Sequence, residues 1–278
     1  MSEIKCCIGT CDAILDQHYW DTQYQSNTVG WDLGKVSPPI KSYVDTIADK
    51  NAAILIPGSG NSYEAEYLAG QGFTNITVID IAPTLVTMLQ QKFMTNKNVS
   101  VLLGDFFDHQ GLYDYIIEQT FFCALPPAMR QKYVCKMHSL LAPDGKLAGL
   151  LFNRDFEVGP PFGGTHAEYE KLFRKAFSLN TVTVAANSVS ARANAELFIE
   201  FQKNSQNHVG LYQVSGIICN DCVESVFESI SALSDVHNVS INTDFTALLI
   251  VSKSEIAIAA LQEAIAYDEK YNIVVSDR

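Results

Sequence analysis

Residues 52–72, AAILIPGSGNSYEAEYLAGQG, constrain the fold more than any other stretch. Residues 52–56 are a short apolar run, β-branched enough to be a buried strand. Pro57 and Gly58 stop it, and Gly58, Ser59 and Gly60 make a tight turn. Asn61 is placed to cap a helix whose apolar face includes Ala65, Leu68 and Ala69. Glycine lets backbone approach a ligand closely, so a strand, a glycine turn and a helix N-terminus together make a nucleotide site. The next predicted strand, residues 76–80, ends in Asp80, twenty residues after Gly60. A carboxylate there accepts hydrogen bonds from both hydroxyls of a ribose. The dinucleotide fingerprint asks for a third glycine three residues after the second, and this chain has Tyr63 there. That disfavours a nicotinamide dinucleotide. A Gly-x-Gly turn followed by a larger residue suits a cofactor without phosphates, and S-adenosylmethionine is the obvious one. The same pattern also serves as a plain strand-turn-helix in α/β proteins.

The alternation continues downstream. Residues 83–94 read as a helix, 99–103 and 113–117 as strands, 128–141 as a helix, 146–152 as a strand and 168–177 as a helix. Two last strands fit 181–185 and 196–202. This implies an α/β fold, Rossmann-like, with a doubly wound, mostly parallel sheet. Ligands on such sheets bind beyond the carboxyl ends of the strands, where Gly58, Asp80, Asp105 and Gln119 fall. Asp105 is placed to accept from an adenine amino group, and Phe106 to pack on the ring. Ahead of the first strand, Trp20 and Tyr24 lie four apart on one helical face, and Trp31 follows. These are ordinary core residues, or an apolar lid over the cofactor. A sulfonium gains roughly 0.5–2 kcal/mol against such aromatic faces. Pro38 and Pro39 close that segment.

Composition narrows the setting. With 278 residues, 47% of them hydrophobic, the chain has room for two domains and a sizeable core. A net charge of −12 argues against nucleic acid and against anionic membranes as partners. No apolar run reaches the about 18 residues of a membrane span. The N-terminus lacks the basic-then-apolar order of a secretory signal. The expectation is a cytoplasmic monomer with its seven cysteines reduced, pairs among them binding metal or serving catalysis. Cys6, Cys7 and Cys11 match no metal spacing; they read as free thiols or as a thiolate cluster near the site.

Several segments together resemble the thiopurine S-methyltransferase superfamily, especially its thiol and halide methyltransferase branch. They are Trp20, Tyr24 and Trp31-Asp32-Leu33-Gly34, then Ile56-Pro57-Gly58-Ser59-Gly60, Asp80 and Gly104-Asp105-Phe106-Phe107. Phe121-Phe122-Cys123-Ala124, Met129-Arg130, Leu140-Leu141, Pro143-Asp144-Gly145 and Gly159-Pro160-Pro161-Phe162 continue the match, which covers residues 18–203. The resemblance implies a class I methyltransferase that moves a methyl group from S-adenosylmethionine to a thiol, a halide or a related soft anion. It implies cofactor contacts at Trp20, Tyr24, Trp31, Gly58, Asp80, Asp105, Phe106 and Gln119, with Gly60 in the same turn. The chain departs from the branch at Tyr24, where tryptophan is common, and at Glu118-Gln119, which replace an aspartate followed by tyrosine or arginine. Arg154, after a strand and before the GPPF turn, is the candidate for steering an anionic acceptor. It reads equally as a solvated surface arginine.

A polar stretch, residues 203–208, separates a second pattern. A strand at 211–214 leads to Cys219-Asn220-Asp221-Cys222, and Val223, Val226, Phe227, Ile230 and Leu233 follow at helical spacing. Strands at 236–241 and 247–251, a helix at 255–266 and a strand at 272–275 complete a β-α-β-β-α-β order, which is ferredoxin-like α+β. With Cys-x-x-Cys after the first strand, residues 209–278 resemble a heavy-metal-associated (HMA) domain, with Ile217 in place of the family's methionine. Two thiolates suit a soft, low-coordinate ion such as Cu(I) or Hg(II); tetrahedral zinc needs two more ligands. A redox dithiol and a structural pair are the other readings. This segment carries ten acidic and three basic residues, net −7. Such a surface suits a basic metal-carrying partner, or plain solubility.

The expected organisation is therefore a methyltransferase domain over 1–204 and a smaller metal domain over 209–278. The expected activity is methylation of a small-molecule acceptor: a thiopurine or other thiol, a halide, or a selenium, tellurium or metalloid species. The competing class is a metal-binding, chaperone-type protein whose nucleotide fold is only a scaffold. If the two halves cooperate, the tail captures a thiophilic metal or metalloid for detoxification, by delivering or by sensing it.

Overall fold

The computed structural model describes residues 14–276; Cys6, Cys7 and Cys11 lie outside them. Two short helices lead in, α1 (Gln17–Gln25) and α2 (Pro38–Val44). Then follow β1 (Ile54–Pro57), α3 (Tyr63–Gly70), β2 (Ile76–Asp80), α4 (Pro83–Lys92), β3 (Val99–Leu103) and β4 (Tyr113–Gln119). α5 (Arg130–Leu140), β5 (Leu141–Phe152), α6 (His166–Phe173), β6 (Phe177–Val184) and β7 (Glu196–Lys203) complete a seven-stranded sheet. Its order is β3-β2-β1-β4-β5-β7-β6, parallel except for β7, which runs against both neighbours. This is the doubly wound, mostly parallel, Rossmann-like arrangement expected from the alternating pattern. The order reverses at β1, so the crevice beyond β1 and β4 is the place for a ligand.

Some local expectations differ. Asn61 does not cap α3. The helix begins after Ser62, which sits in the left-handed region at φ +53° and makes no side-chain cap bond. Pro38 and Pro39 do not end a segment; they open α2, where a missing N–H costs nothing and the fixed φ is already helical. The helix expected over 128–141 starts at Arg130, behind a single 3-10 turn at Pro127–Met129.

The C-terminal elements are β8 (His208–Ser215), α7 (Asn220–Ser231), β9 (Val236–Ile241), β10 (Ala247–Ser252), α8 (Ile258–Ala264) and β11 (Asn272–Val275). They form a separate antiparallel sheet of order β11-β8-β10-β9. One face of this sheet, with Leu248 and Ile250, packs with α7 and α8 residues such as Val226 and Leu261. The other face carries Leu249 and Val251, both fully buried in one cluster with Tyr133 and Val134 of α5. Thus β10 reads ALLIVS without polar alternation because it is covered on both sides.

α5 is correspondingly buried on two faces. Tyr133 and Met137 face the large sheet's core. Gln131, Cys135 and His138, one face of the helix, bond instead to Ser240, to the Val209 carbonyl and to the Asn204 carbonyl. The polar stretch after β7 is therefore a seam rather than a free tether: the Asn204 amide also donates to the Ala176 carbonyl.

Because one apolar cluster spans both sheets, they are expected to unfold together. Leu249→Ala should destabilise the whole chain by about 2–5 kcal/mol. Chemical denaturation followed by both tryptophan fluorescence and far-ultraviolet dichroism should give one coincident transition; two separate transitions would contradict the shared core.

Candidate active site

A cavity of about 780 Å³ lies beyond the carboxyl ends of β1, β2 and β4, and all nine residues anticipated for the cofactor line it. Its floor is the turn after β1. Gly58 and Gly60 adopt φ of +54° and +49°, where a side chain would be strained. A Cβ on Gly58 would also lie 2.2 Å from the Phe121 ring. That glycine therefore serves side-chain packing as well as ligand approach.

Asp80 closes the turn from the side. Its Oδ2 accepts the Gly60 amide at 3.3 Å and its Oδ1 accepts the Ala82 amide at 3.0 Å. Burial pushes its carboxyl up to about 6, against the pull of these donors. Above that pH it is a carboxylate with acceptor capacity left for a ribose.

The aromatic residues before β1 form the opposite wall. Trp20 and Trp31 meet edge to face at 5.7 Å between centroids, and Tyr24 meets Trp31 at 6.0 Å. Burial, and then Asp80, keep the Tyr24 hydroxyl protonated. Asp32 fastens this wall to α3: it accepts from Asn61 Nδ2 and from the Tyr63 hydroxyl, and its other oxygen accepts the Gly34 amide. Asn61 thus holds the aromatic loop instead of capping a helix, and Tyr63 holds the same loop.

Two polar groups of the cavity have hydrogen-bonding capacity to offer a ligand. Ser59 Oγ and Gln119 Nε2 are buried without a hydrogen-bond partner, and both residues line the cavity. Such a group costs about 1–3 kcal/mol while unpaired, so a polar ligand here is stabilised by meeting it. Beside them, Phe106 packs edge to face on Phe107 and Phe121, and Asp105 accepts the Phe107 amide at 2.8 Å. Asp105 and Phe106, the residues expected beside an adenine, both line the cavity.

The far end of the cavity is apolar, with Cys123, Leu125, Pro126, Met129 and Phe152. Burial raises the Cys123 thiol, which donates to the Thr120 carbonyl; it is a neutral wall group, not a nucleophile. Glu118 stands behind this wall. It is fully buried, and its Oε2 accepts the Phe121 and Phe122 amides at 3.0 Å each. Burial pushes its carboxyl up to about 7. Glu118, noted in the sequence only as a family departure, is what holds the Phe121 turn.

Arg154 is not on the cavity wall. It forms a backbone bridge with Gly164, and its guanidinium lies over Phe156 at 4.8 Å. The wall carries Arg192 instead, bonded to Glu196 at 3.2 Å and to the Trp31 carbonyl at 2.8 Å, and 5.7 Å from the Phe152 ring. No periodic signal marks Arg192, because its partner Trp31 is 161 residues away.

Cys219 and Cys222 lie elsewhere, the first immediately before α7 and the second in its first turn, with their sulfurs 2.8 Å apart. The Cys222 thiol is lowered to about 6, chiefly by Cys219, then by the Ile218 amide and the Tyr271 hydroxyl. Among the described residues, no cluster of three or more His, Cys, Asp or Glu is placed to hold a metal.

A family model described as thiopurine S-methyltransferase matches residues 15–207. Probable thiol methyltransferase 2 of Arabidopsis thaliana is 32% identical over 196 residues, which cover 68% of this chain and 86% of that protein. Thiocyanate methyltransferase 1 of Brassica oleracea is 25% identical over 197 residues, covering 68% and 86%. Among solved structures, magnesium protoporphyrin IX methyltransferase from Synechocystis PCC 6803 with bound SAH superposes with a TM-score of 0.54 at 15% identity, over 68% of this chain and 97% of that one. At that identity the likeness is one of fold. The C-terminal sheet lies beyond the matched span.

Removing the Asp80 carboxylate should weaken S-adenosylmethionine by roughly 1.5–3 kcal/mol without unfolding the chain. Calorimetric affinity of the wild type should also fall as pH drops through about 6, where Asp80 protonates and loses acceptor capacity. Asp80→Ala should lose that pH dependence. Wild-type affinity in the variant would refute the ribose role.

Proposed function

The chain belongs to the thiopurine S-methyltransferase family and is an S-adenosylmethionine-dependent methyltransferase; from that premise we propose that its acceptor is a small soft nucleophile. A thiol, a thiopurine, thiocyanate or a halide fits, as does a selenium, tellurium or metalloid species. The observation that carries this reading is the form of the cavity. Unpaired Ser59 and Gln119 share the cavity with apolar Leu125, Pro126, Met129 and Phe152, and the cations among its lining residues are Lys35 and Arg192. A weakly hydrated anion loses little on entering such walls.

When bound, S-adenosylmethionine supplies a methyl group on a sulfonium. The residues of the chain position and desolvate. Asp80 would hold the ribose, Asp105, Phe106 and Gln119 the adenine side, and Trp20, Tyr24 and Trp31 the charged sulfur. The Phe121 turn and the 125–129 segment shape the acceptor's approach. These walls would align the acceptor with the methyl group, and an acceptor that arrives as an anion would bring no proton for the chain to move. No dedicated base is required, and positioning supplies up to roughly 7–11 kcal/mol. Arg192, rather than Arg154, is the better placed residue to attract an anion.

We read residues 209–278 as a ferredoxin-like, heavy-metal-associated domain. Its β-α-β-β-α-β order and the paired thiols at Cys219 and Cys222 support this. A thiol lowered to about 6 is mostly thiolate at neutral pH, the form that ligates. The donor set fits a two-coordinate ion such as Cu(I) or Hg(II). Since the pair lines no part of the cavity, sensing or exchange with a basic partner protein is favoured over direct delivery in detoxification. A monomer in the cytoplasm, where thiols stay reduced, is the setting this requires.

Three measurements check these readings. Methyl transfer from labelled S-adenosylmethionine should appear with at least one of a thiophenol, 6-mercaptopurine, thiocyanate, iodide or selenite; transfer to none would overturn the acceptor class. The full chain should take up one equivalent of Cu(I), and Cys219→Ser/Cys222→Ser none. Iodoacetamide labelling of Cys222 should rise with pH around a midpoint near 6. Equal copper uptake by the double variant would remove the metal assignment.

A further inference from the structure

The 125–131 segment forms the acceptor wall, yet it has little means of holding itself. Pro126 and Pro127 have no amide N–H to donate. The single 3-10 turn at Pro127–Met129 is closed by the Met129 amide on the Pro126 carbonyl at 2.8 Å. Leu125, Pro126 and Met129 all face the cavity. The segment is instead clamped from outside. On one side, Arg130 donates to the Gly163 carbonyl and lies over Phe122 at 5.2 Å. On the other, the clamp comes from the C-terminal sheet. Gln131 Nε2 donates to Ser240 Oγ at 2.8 Å, and Asn242 Nδ2 donates to the Ala128 carbonyl at 3.1 Å.

Asn242 is built for this. It is 5% exposed and opens the hairpin between β9 and β10. Its Oδ1 accepts the Thr246 and Ala247 amides at 2.8 and 2.9 Å, which fixes the side chain. Its Nδ2 is then aimed at both Ala128 and Thr246 Oγ1. The hairpin is rigid because its own turn uses one half of the amide, and the other half reaches across the seam.

We propose that the C-terminal sheet is a working part of the acceptor site, and that Asn242 is a positioning residue for the methyl acceptor, acting through the Ala128 carbonyl on Pro126 and Met129. The kinetic consequence rests on the methyltransferase reading above; the structural one does not. A wall displaced by a fraction of an ångström loosens acceptor alignment while leaving the cofactor end untouched. The role does not depend on whether Cys219 and Cys222 hold a metal.

The test uses the full chain. Asn242→Asp keeps the acceptor for Thr246 and Ala247 but sets an oxygen against the Ala128 carbonyl. Thr246→Val removes only the bond inside the hairpin. Asn242→Asp should raise the acceptor KM about fivefold or more, the worth of one hydrogen bond, with 6-mercaptopurine, thiocyanate and iodide as probes. The KM for S-adenosylmethionine should stay unchanged. Amide hydrogen exchange at Leu125, Ala128, Met129 and Arg130 should quicken, with β1 and α3 as in the wild type. Thr246→Val should behave as wild type in both readouts. Unchanged exchange over these four amides would overturn the proposal, as would an equal rise in both KM values or the same effect in Thr246→Val. If the wild type turns over none of the probes, the acceptor reading fails, and exchange alone decides the clamp.

Discussion

A buried carboxylate organises the site. Asp80 bonds the Gly60 amide after β1 and the Ala82 amide after its own strand, and so ties two loops into one ledge. The ledge requires left-handed backbone at Gly58, Gly60 and Ser62. It leaves Gly58 bare enough for the Phe121 ring to rest on it. A second buried carboxylate, Glu118, holds the Phe121 turn from below through two amides. Desolvation raises both carboxyls, to about 6 and about 7, against the pull of the amides they accept. Cofactor floor and acceptor wall are therefore two ends of one buried polar frame.

The second determinant is α5. It separates the two sheets and is apolar toward one while bonding polar groups of the other. Its N-terminal end carries the acceptor wall, so whatever seats the helix also seats the wall. The C-terminal sheet covers that end through Asn242 and the middle through Leu249 and Val251. Two units that look separable in sequence thus share a core and a functional edge.

The parts of this arrangement that depend on period and strand ends were legible in the sequence. β2, β3, β9 and β11 begin and end where the apolar runs do, and Asp80, Asp105 and Gln119 converge because parallel strands bring their carboxyl ends together. What stayed hidden depends on single long-range contacts. Arg192 reaches Trp31, and Asn242 reaches Ala128, across 161 and 114 residues with no repeating pattern to mark them. Arg154 was misplaced because proximity to a strand end does not say which way a side chain leaves a bridge. Local rules alone make Asn61 a helix cap; the long-range bond to Asp32 draws it away. One signal stood in plain view: the unbroken apolar run of β10 marks a strand covered on both faces.

Both tryptophans of the chain, Trp20 and Trp31, stand at the cavity, so its occupancy is read most directly from their fluorescence. Titration with S-adenosylmethionine should change the emission in a saturable way, NAD should leave it unchanged, and Asp80→Ala should move the midpoint to higher concentration. No saturable change with S-adenosylmethionine, or the same change with NAD, would contradict a sulfonium cofactor held between the aromatic wall and the Asp80 ledge.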